Sequence, residues 1–386
     1  MKSWKLRLNA GEHERMDCPV SAVIPAVGAM PAGLRLVEAQ GGRVVPCQGG
    51  LDGQGNLHVH WILDYLAPGH SREYVLEEVH QPAAEAVLVV DKGDKVEISI
   101  GGELFSAYHY APSWARPFLW PVIGPYGDSV TRNYPMDPSV PGEKHDHPHH
   151  KSIYTAFGDV NGVDDWSEME GHGRIVHRRF RQLRGGPVLG LIQAENDWVS
   201  KDGHKVLSEV RTIVVYNLLP SRERIVDFTI HFQADQGPVR FGDTKEGGIL
   251  AVRVATSMDV TSGLGGRIEN SFGGINERET WGKKAHWCDY SGPVQGRLVG
   301  ITIMDNPENL RHPTEYHVRN YGLMTANPFA WHDYKGDPTL DGSYTVPAGG
   351  SLTFRYRLLI HKGDARGGRV ASRYHDYINP PAVEIL

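Results

Sequence analysis

The sequence predicts an all-β protein built as two antiparallel sandwiches, a small one first and a large one after it, with one short helix near the C-terminus. Three observations predict it. Glycine (45) and proline (25) are frequent among the 386 residues, which favours many short strands joined by turns over long helices. Apolar and polar residues alternate with a period of two, as where Val226, Phe228, Ile230 and Phe232 interleave with Asp227, Thr229, His231 and Gln233. The chain also lacks a βαβ rhythm, a GxGxxG fingerprint, a Walker A loop and any long internal repeat, so no nucleotide cofactor is expected.

Residues 1–82 read as the small sandwich. Leu34-Arg-Leu-Val-Glu-Ala and Arg43-Val-Val-Pro are short strands, Asp52-Gly-Gln-Gly-Asn is a turn, and His58-Val-His-Trp-Ile-Leu is a strand. Pro68-Gly69 turns the chain into Glu73-Tyr-Val-Leu-Glu, and Gln81-Pro82-Ala-Ala marks the boundary. Residues 83–386 form the large sandwich. It opens with a meander of Ala86-Val-Leu-Val-Val, Lys95-Val-Glu-Ile-Ser-Ile and Leu104-Phe-Ser-Ala-Tyr-His-Tyr, turned at Gly93 and at Gly101-Gly102. Leu352, Phe354, Tyr356, Leu358 and Ile360 repeat the alternation near the end. A helix is expected over residues 368–378, with Val370, Tyr374 and Tyr377 on one face and Pro380 stopping it.

Composition excludes several partners. The net charge is −6 and no basic block exists, so nucleic acid is not expected; Arg178 and Arg179 read as a solvated strand edge. Cys18, Cys47 and Cys288 are scattered, without a CxxC pair, which argues against a disulfide scaffold or a cysteine zinc site. The N-terminus has no apolar signal region and no long apolar run follows, so a soluble, cytoplasmic protein without membrane contact is expected.

The densest polar signal is Glu143-Lys-His145-Asp146-His147-Pro148-His149-His150-Lys151-Ser152. If extended, it carries His145, His147 and His149 on one side, and Pro148 biases His147 toward extended geometry. Three alternating imidazoles suit a divalent metal, or a cluster of donors and general acids around hydroxyls. HExxH is absent, which excludes a zincin. The flanking loops are rich in Gly, Pro, Asn and Asp, and their Trp120, Tyr126 and Trp166 could floor a sugar site. A second constellation, Asp243, Lys245 and Glu246, puts two carboxylates beside an ammonium that would keep one ionised as a base. A third joins His312, His317 and Arg319, with Asn327 a little further on. His13, His70, His80 and His204 read as surface residues.

These residues carry a resemblance. Gly124-Pro-Tyr-Gly, Thr131-Arg132, Asp146-His-Pro-His-His-Lys-Ser, Gly158-Asp-Val-Asn-Gly-Val-Asp, Gly242-Asp-Thr-Lys-Glu-Gly-Gly, Arg311-His-Pro-Thr and Tyr321-Gly-Leu-Met-Thr-Ala-Asn-Pro-Phe together resemble the soluble family often labelled PmoA-like, from about residue 86 to the C-terminus. Lys151 departs from the arginine expected in many relatives, with the cationic character kept. The label suggests a methane monooxygenase subunit, which is rejected because no segment here could span a membrane. In a second likeness, Arg116-Pro-Phe-Leu-Trp-Pro-Val-Ile-Gly, the His cluster and a following Trp are similar in layout to aldose epimerases. That likeness implies a galactose-mutarotase-like β-supersandwich, a fold whose members act on carbohydrates as epimerases, lyases or parts of glycosidases.

The resulting expectation is a carbohydrate-active enzyme that cleaves or rearranges a glycoside or an oxidised sugar, a lyase or hydrolase. His145, His147 and His149 would bind a divalent metal. His149, Glu246, Asp243, His312 and His317 would supply acid and base, with Glu246 or Asp243 as base and His312 or His317 as acid. Arg132, His150, Lys151, Lys245, Arg319, Trp166 and Asn327 would hold the sugar. The alternatives are a metal-independent mutarotase-like epimerase and a non-catalytic carbohydrate-binding protein.

Overall fold

A computed structural model describes residues 2–386 and is all-β apart from short helices. The small sandwich pairs a five-stranded sheet, which holds Ser3–Asn9, Gly33–Glu38 and Ser71–Val79, with a three-stranded sheet of Arg15–Ile24, Leu57–Leu66 and Cys47–Leu51. Leu6, Leu8, Leu36, Val59, Trp61 and Leu76 fill its core because alternate residues of each strand face inward. One strand of this sheet comes from the far end of the chain. Ala382–Ile385 pairs antiparallel with Ser3–Asn9, so the division at residue 82 is corrected: the last residues return to the first sandwich.

The large sandwich packs a nine-stranded sheet on an eight-stranded one, all antiparallel. The expected meander is present as Val87–Asp91, Lys95–Ile100 and Glu103–His109 at one edge of the nine-stranded sheet. The alternating segments are the neighbouring strands Arg224–Gln233 and Ser351–Lys362 of the other sheet. The expected helix is Val370–Ile378, and it covers Leu359, Met304 and Trp287 on the outside of the eight-stranded sheet.

What positions the site is the two-faced character of the nine-stranded sheet. Leu119, Ile153, Leu250, Val252, Val318 and Met324 point inward, into the main core with Phe228, Ile230 and Phe354. Their neighbours point outward. Across five strands the register aligns His317 with Thr325, Thr325 with Ala251, Ala251 with Tyr154, and Tyr154 with Phe118. This outer row carries polar and aromatic groups, and it is buried nonetheless. The long connection from Phe118–Val122 to Ile153–Phe157 folds back over it, together with the segment holding Trp166.

Candidate functional site

The His segment is not extended. His147 has φ 43°, in the left-handed region, and His150 N–H donates to His147 O at 2.9 Å, so residues 147–150 form a tight turn. The anchor is Asp146. Its Oδ1 accepts from Arg132 at 2.8 Å and from Arg253 at 2.7 Å, and that charged grip overrides the local bias of Pro148.

The turn sends the imidazoles in different directions. His145 stacks on Tyr134 at 4.5 Å, while His147 is 4.8 Å from His150 and 4.7 Å from Tyr321, with both rings nearly parallel to it and 6.4 Å from each other. His149 meets Trp166 edge-on at 5.9 Å and His150 at 4.3 Å. The expected ligand set of His145, His147 and His149 is therefore not assembled. Among the described residues no three His, Cys, Asp or Glu side chains group as a metal site.

Beneath the turn lie four buried cations, Arg116, Arg132, Lys151 and Arg253, each 2% exposed or less. Arg132 also holds Asp259 in a bidentate pair at 2.8 and 3.0 Å. Arg116 and Lys151 share Glu168, and Arg116 donates to the carbonyls of His149, Asp165 and Trp166 at 2.8 Å each. Lys151 also donates to Pro148 O at 3.1 Å, tying down the turn from behind. Four cations thus face three carboxylates, and two of those carboxylates are shared.

Burial first, and the nearby cations second, set the titration of the site. Burial, then the Arg116 guanidinium, pushes the His149 imidazole down to about 4. Burial and Arg253 push His150 well below the usual histidine range. Burial takes His317 to about 4 and, with Arg116 beside it, Lys151 to about 8. Burial alone would raise the Asp146 carboxyl, but Arg253 and Arg132 outweigh it and hold it low. At neutral pH the imidazoles of His149, His150 and His317 are uncharged.

Hydrogen bonding fixes two tautomers. A guanidinium only donates, so His150 Nδ1, 2.7 Å from Arg253 Nη1, is an acceptor and the proton sits on Nε2. A carbonyl only accepts, so His317 Nδ1, 2.8 Å from Lys245 O, carries the proton and leaves a lone pair on Nε2. Neither Nε2 has a hydrogen-bond partner among the described residues. His150 lies 6.3 Å from the Tyr154 ring, in the outer row of the sheet to which His317 also belongs.

Residues 95–375 match DUF6807, described as a family of unknown function. The chain belongs to that family. No curated protein matches the sequence. The fold is similar to that of an alpha-mannosidase from Enterococcus faecalis V583, at 11% identity and a TM-score of 0.45, covering 100% of this chain and 46% of that one. The DUF6807 chain thus spans less than half the length of that enzyme.

In the DUF6807 chain, His147, His149, His150, Trp166, His317 and Arg319 gather on the outer sheet face. Arg319 pairs with Glu277 at 3.2 Å and lies 5.6 Å from the Tyr321 ring. Glu246, with Lys245 Nζ at 3.1 Å, stands half-exposed at the rim.

Several expectations are corrected. His312 is elsewhere: it binds Asp305 at 2.7 Å and packs on His286, toward the C-terminal helix. Asp243 is occupied by His332 Nδ1 at 2.7 Å and by the backbone N–H of His332 and Gly342, which fixes a loop rather than a substrate. Asn327 spends its amide on Thr244 O and Phe329 N–H. Arg132 and Lys151 lie behind the turn with their charges engaged, so they position it and do not grip a sugar. Tyr126 lies under Arg297 and Lys362, with no contact to the His turn.

Sequence reasoning gave no role to Arg116, Arg253, Asp146, Tyr154 or Tyr321. The signal for Arg253 was present, since an arginine ending an apolar strand must find a partner inside. The Tyr154 and Trp166 rings lie 5.5 Å apart by centroid, and Tyr154 Oη and Trp166 Nε1 are buried without hydrogen-bond partners among the described residues.

Proposed function

We propose that this DUF6807 protein is an enzyme that rearranges or cleaves an oxidised sugar by moving a proton at the carbon beside a carbonyl. The observation that supports the reading is the pair of neutral imidazoles in opposite tautomers, His150 offering Nε2–H and His317 offering an Nε2 lone pair, above an excess of buried cations. A neutral base and a neutral donor near one another are what enolisation requires.

In this reading His317 Nε2 takes the proton from carbon, and the electron pair of the C–H bond moves through the new C=C bond onto the carbonyl oxygen. His150 Nε2–H and the Arg253 charge behind it stabilise the resulting enolate. When the enolate re-forms the carbonyl, the electrons either expel a β-oxygen substituent, which leaves with a proton, or recover a proton on carbon. The first outcome is a lyase and the second an epimerase. Trp166, 1% exposed, packs beneath the turn and has no face free for a sugar, against expectation, so the partly buried Tyr321 is the aromatic group left to border the ring. Hydrolysis by a carboxylate pair fits less well. Asp146, Asp259, Glu168 and Asp243 are each bound to cations or imidazole, and Glu246 alone faces the rim.

The test is turnover of 3-keto glycosides against the parent glycosides, with proton–deuterium exchange beside the carbonyl followed by NMR in heavy water. Exchange is expected only with the keto substrate, and His317→Gln should slow it by about 100-fold or more. It should persist with a strong chelator; loss on chelation would restore the metal reading. Equal turnover of the parent glycosides, or an unimpaired His317→Gln variant, would end the proposal.

A further inference from the structure

A cavity of about 390 Å³ lies beside the site, between residues 110–117 and the start of the Arg174–Arg184 strand. That volume is within the range of small-molecule pockets. Its walls include Tyr110, Pro112, Trp114, Pro117 and Ile175, so the lining is chiefly aromatic and apolar. Arg116 belongs to both places: it lines the cavity, and its Nη1 holds His149 O at 2.8 Å. Lys151 Nζ, behind the His turn, is 6.0 Å from the Trp114 ring.

Three polar features break the apolar lining. Arg116 is 1% exposed, and its Nε is buried without a partner. The half-buried His177 has no partner for Nδ1 among the described residues, and burial lowers the imidazole's basicity more than its Asn196 contact raises it, so it stays neutral. Arg174 donates to the carbonyls of Pro112 and Trp114 and, among the described residues, has no carboxylate partner. Its positive charge is uncompensated at the cavity wall. A buried donor and an unbalanced guanidinium between aromatic walls call for a flat ligand with a negative or strongly accepting oxygen.

We infer that this cavity binds an aromatic ring bearing an acidic oxygen, of the phenol or benzoate class. On the reading proposed above, that ring is the aglycone of the glycoside, held on the far side of Arg116 from the sugar. A simple sugar would leave the Arg174 charge unanswered, and an aliphatic acid would not fill the space between Tyr110 and Trp114.

Binding is tested without turnover, by titrating 4-hydroxybenzoate into the full chain and following tryptophan fluorescence and saturation-transfer NMR. Saturable binding is expected, with benzyl alcohol weaker by about tenfold for want of the charge-assisted hydrogen bond, and cyclohexanecarboxylate, which keeps the charge, weaker because it lacks the flat ring. Arg174→Gln should weaken 4-hydroxybenzoate by a similar factor and Arg174→Lys should restore most of it. Val176→Trp, which fills the cavity, should abolish binding while leaving circular dichroism unchanged. No saturable binding by the wild type, or equal binding by Val176→Trp, overturns the inference. If 4-hydroxybenzoate binds as expected but no keto glycoside is turned over, the pocket stands and the catalytic reading falls. If turnover occurs and the probe does not bind, the reverse holds.

Discussion

The molecule contains two buried networks of charge, and they are balanced differently. Under the helix Val370–Ile378 each cation has its own carboxylate: Arg15 with Asp376 at 2.9 Å, Arg357 with Asp227 at 2.6 Å, Arg373 with Glu223 at 3.1 Å, and His361 with Asp289 at 2.9 Å. At the His turn Arg116, Arg132, Lys151 and Arg253 divide Asp146, Asp259 and Glu168 among them. The imidazoles record the difference. Burial alone would lower His361, but Asp289 outweighs it and raises it, whereas His149, His150 and His317 are all driven neutral. A balanced network joins parts of a fold; here it ties Arg15 of the small sandwich to the helix of the large one. An unbalanced network leaves buried positive charge only partly answered by carboxylates, the arrangement on which the proposed function rests.

The largest effect that would test this contrast comes from removing one arginine in each network. Arg15→Ala strands the buried Asp376 and should cost about 3–5 kcal/mol in chemical denaturation, whereas Arg253→Ala leaves Asp146 paired with Arg132 at 2.8 Å and should cost clearly less. The outcomes should part at activity. Folded Arg15→Ala protein should keep it, and folded Arg253→Ala should lose it with the His150 tautomer. Equal losses of activity would make both networks structural.

The pH dependence of stability should divide the same way. His149 and His317 have folded values near 4, below the ordinary 6.5, so the unfolded chain binds protons first. Their effect is absent above pH 6.5 and destabilises the fold as pH falls from 6.5 toward 4. His361 is shifted upward, so its contribution is complete below pH 6.5 and lost as pH rises through its raised value. Melting curves across pH should show His317→Gln flattening the acid limb and His361→Gln the neutral-to-alkaline one. A single limb flattened by both would erase the distinction.

The two networks also differ in how visible they were in the sequence. The strands and the helix were legible because their signals are local: period two in Arg224–Gln233, and a stop at Pro380 after Val370–Ile378. The strand Ala382–Ile385 was not, since four residues carry little pattern and their partner lies at the other end of the chain. The His cluster was legible as a composition, whereas its shape was not. Asp146 is held by Arg253, 107 residues away, and no spacing rule within the turn contains that contact. Glu246 and Arg319 do stand near the imidazoles, while His312 and Asp243 look equivalent in sequence and prove committed to Asp305 and His332. Residue type gave the candidates; only the register of the nine-stranded sheet selects among them.

A smaller effect separates the support of the turn from its chemistry. Lys151 is pushed to about 8 by burial and Arg116, so the ammonium that ties Pro148 O to Glu168 is lost as pH rises past that value. Activity should fall severalfold on the alkaline side, and Lys151→Arg should move that fall to higher pH because a guanidinium stays charged. A pH–rate profile with the same alkaline limb in both proteins would assign the limb to another group.

The smallest expected change is at Tyr154, and its sign is the informative part. The hydroxyl is fully buried without a partner, so Tyr154→Phe removes an unsatisfied polar atom and should leave stability unchanged or raise it by about 1 kcal/mol. A hydroxyl kept only for packing would not be missed. If this one faces bound sugar, the variant should raise KM by severalfold while melting at the same temperature or higher. A more stable protein that binds substrate less well is what an unbalanced site predicts and a balanced one does not. Loss of stability with unchanged KM would place Tyr154 with the joining residues under the helix.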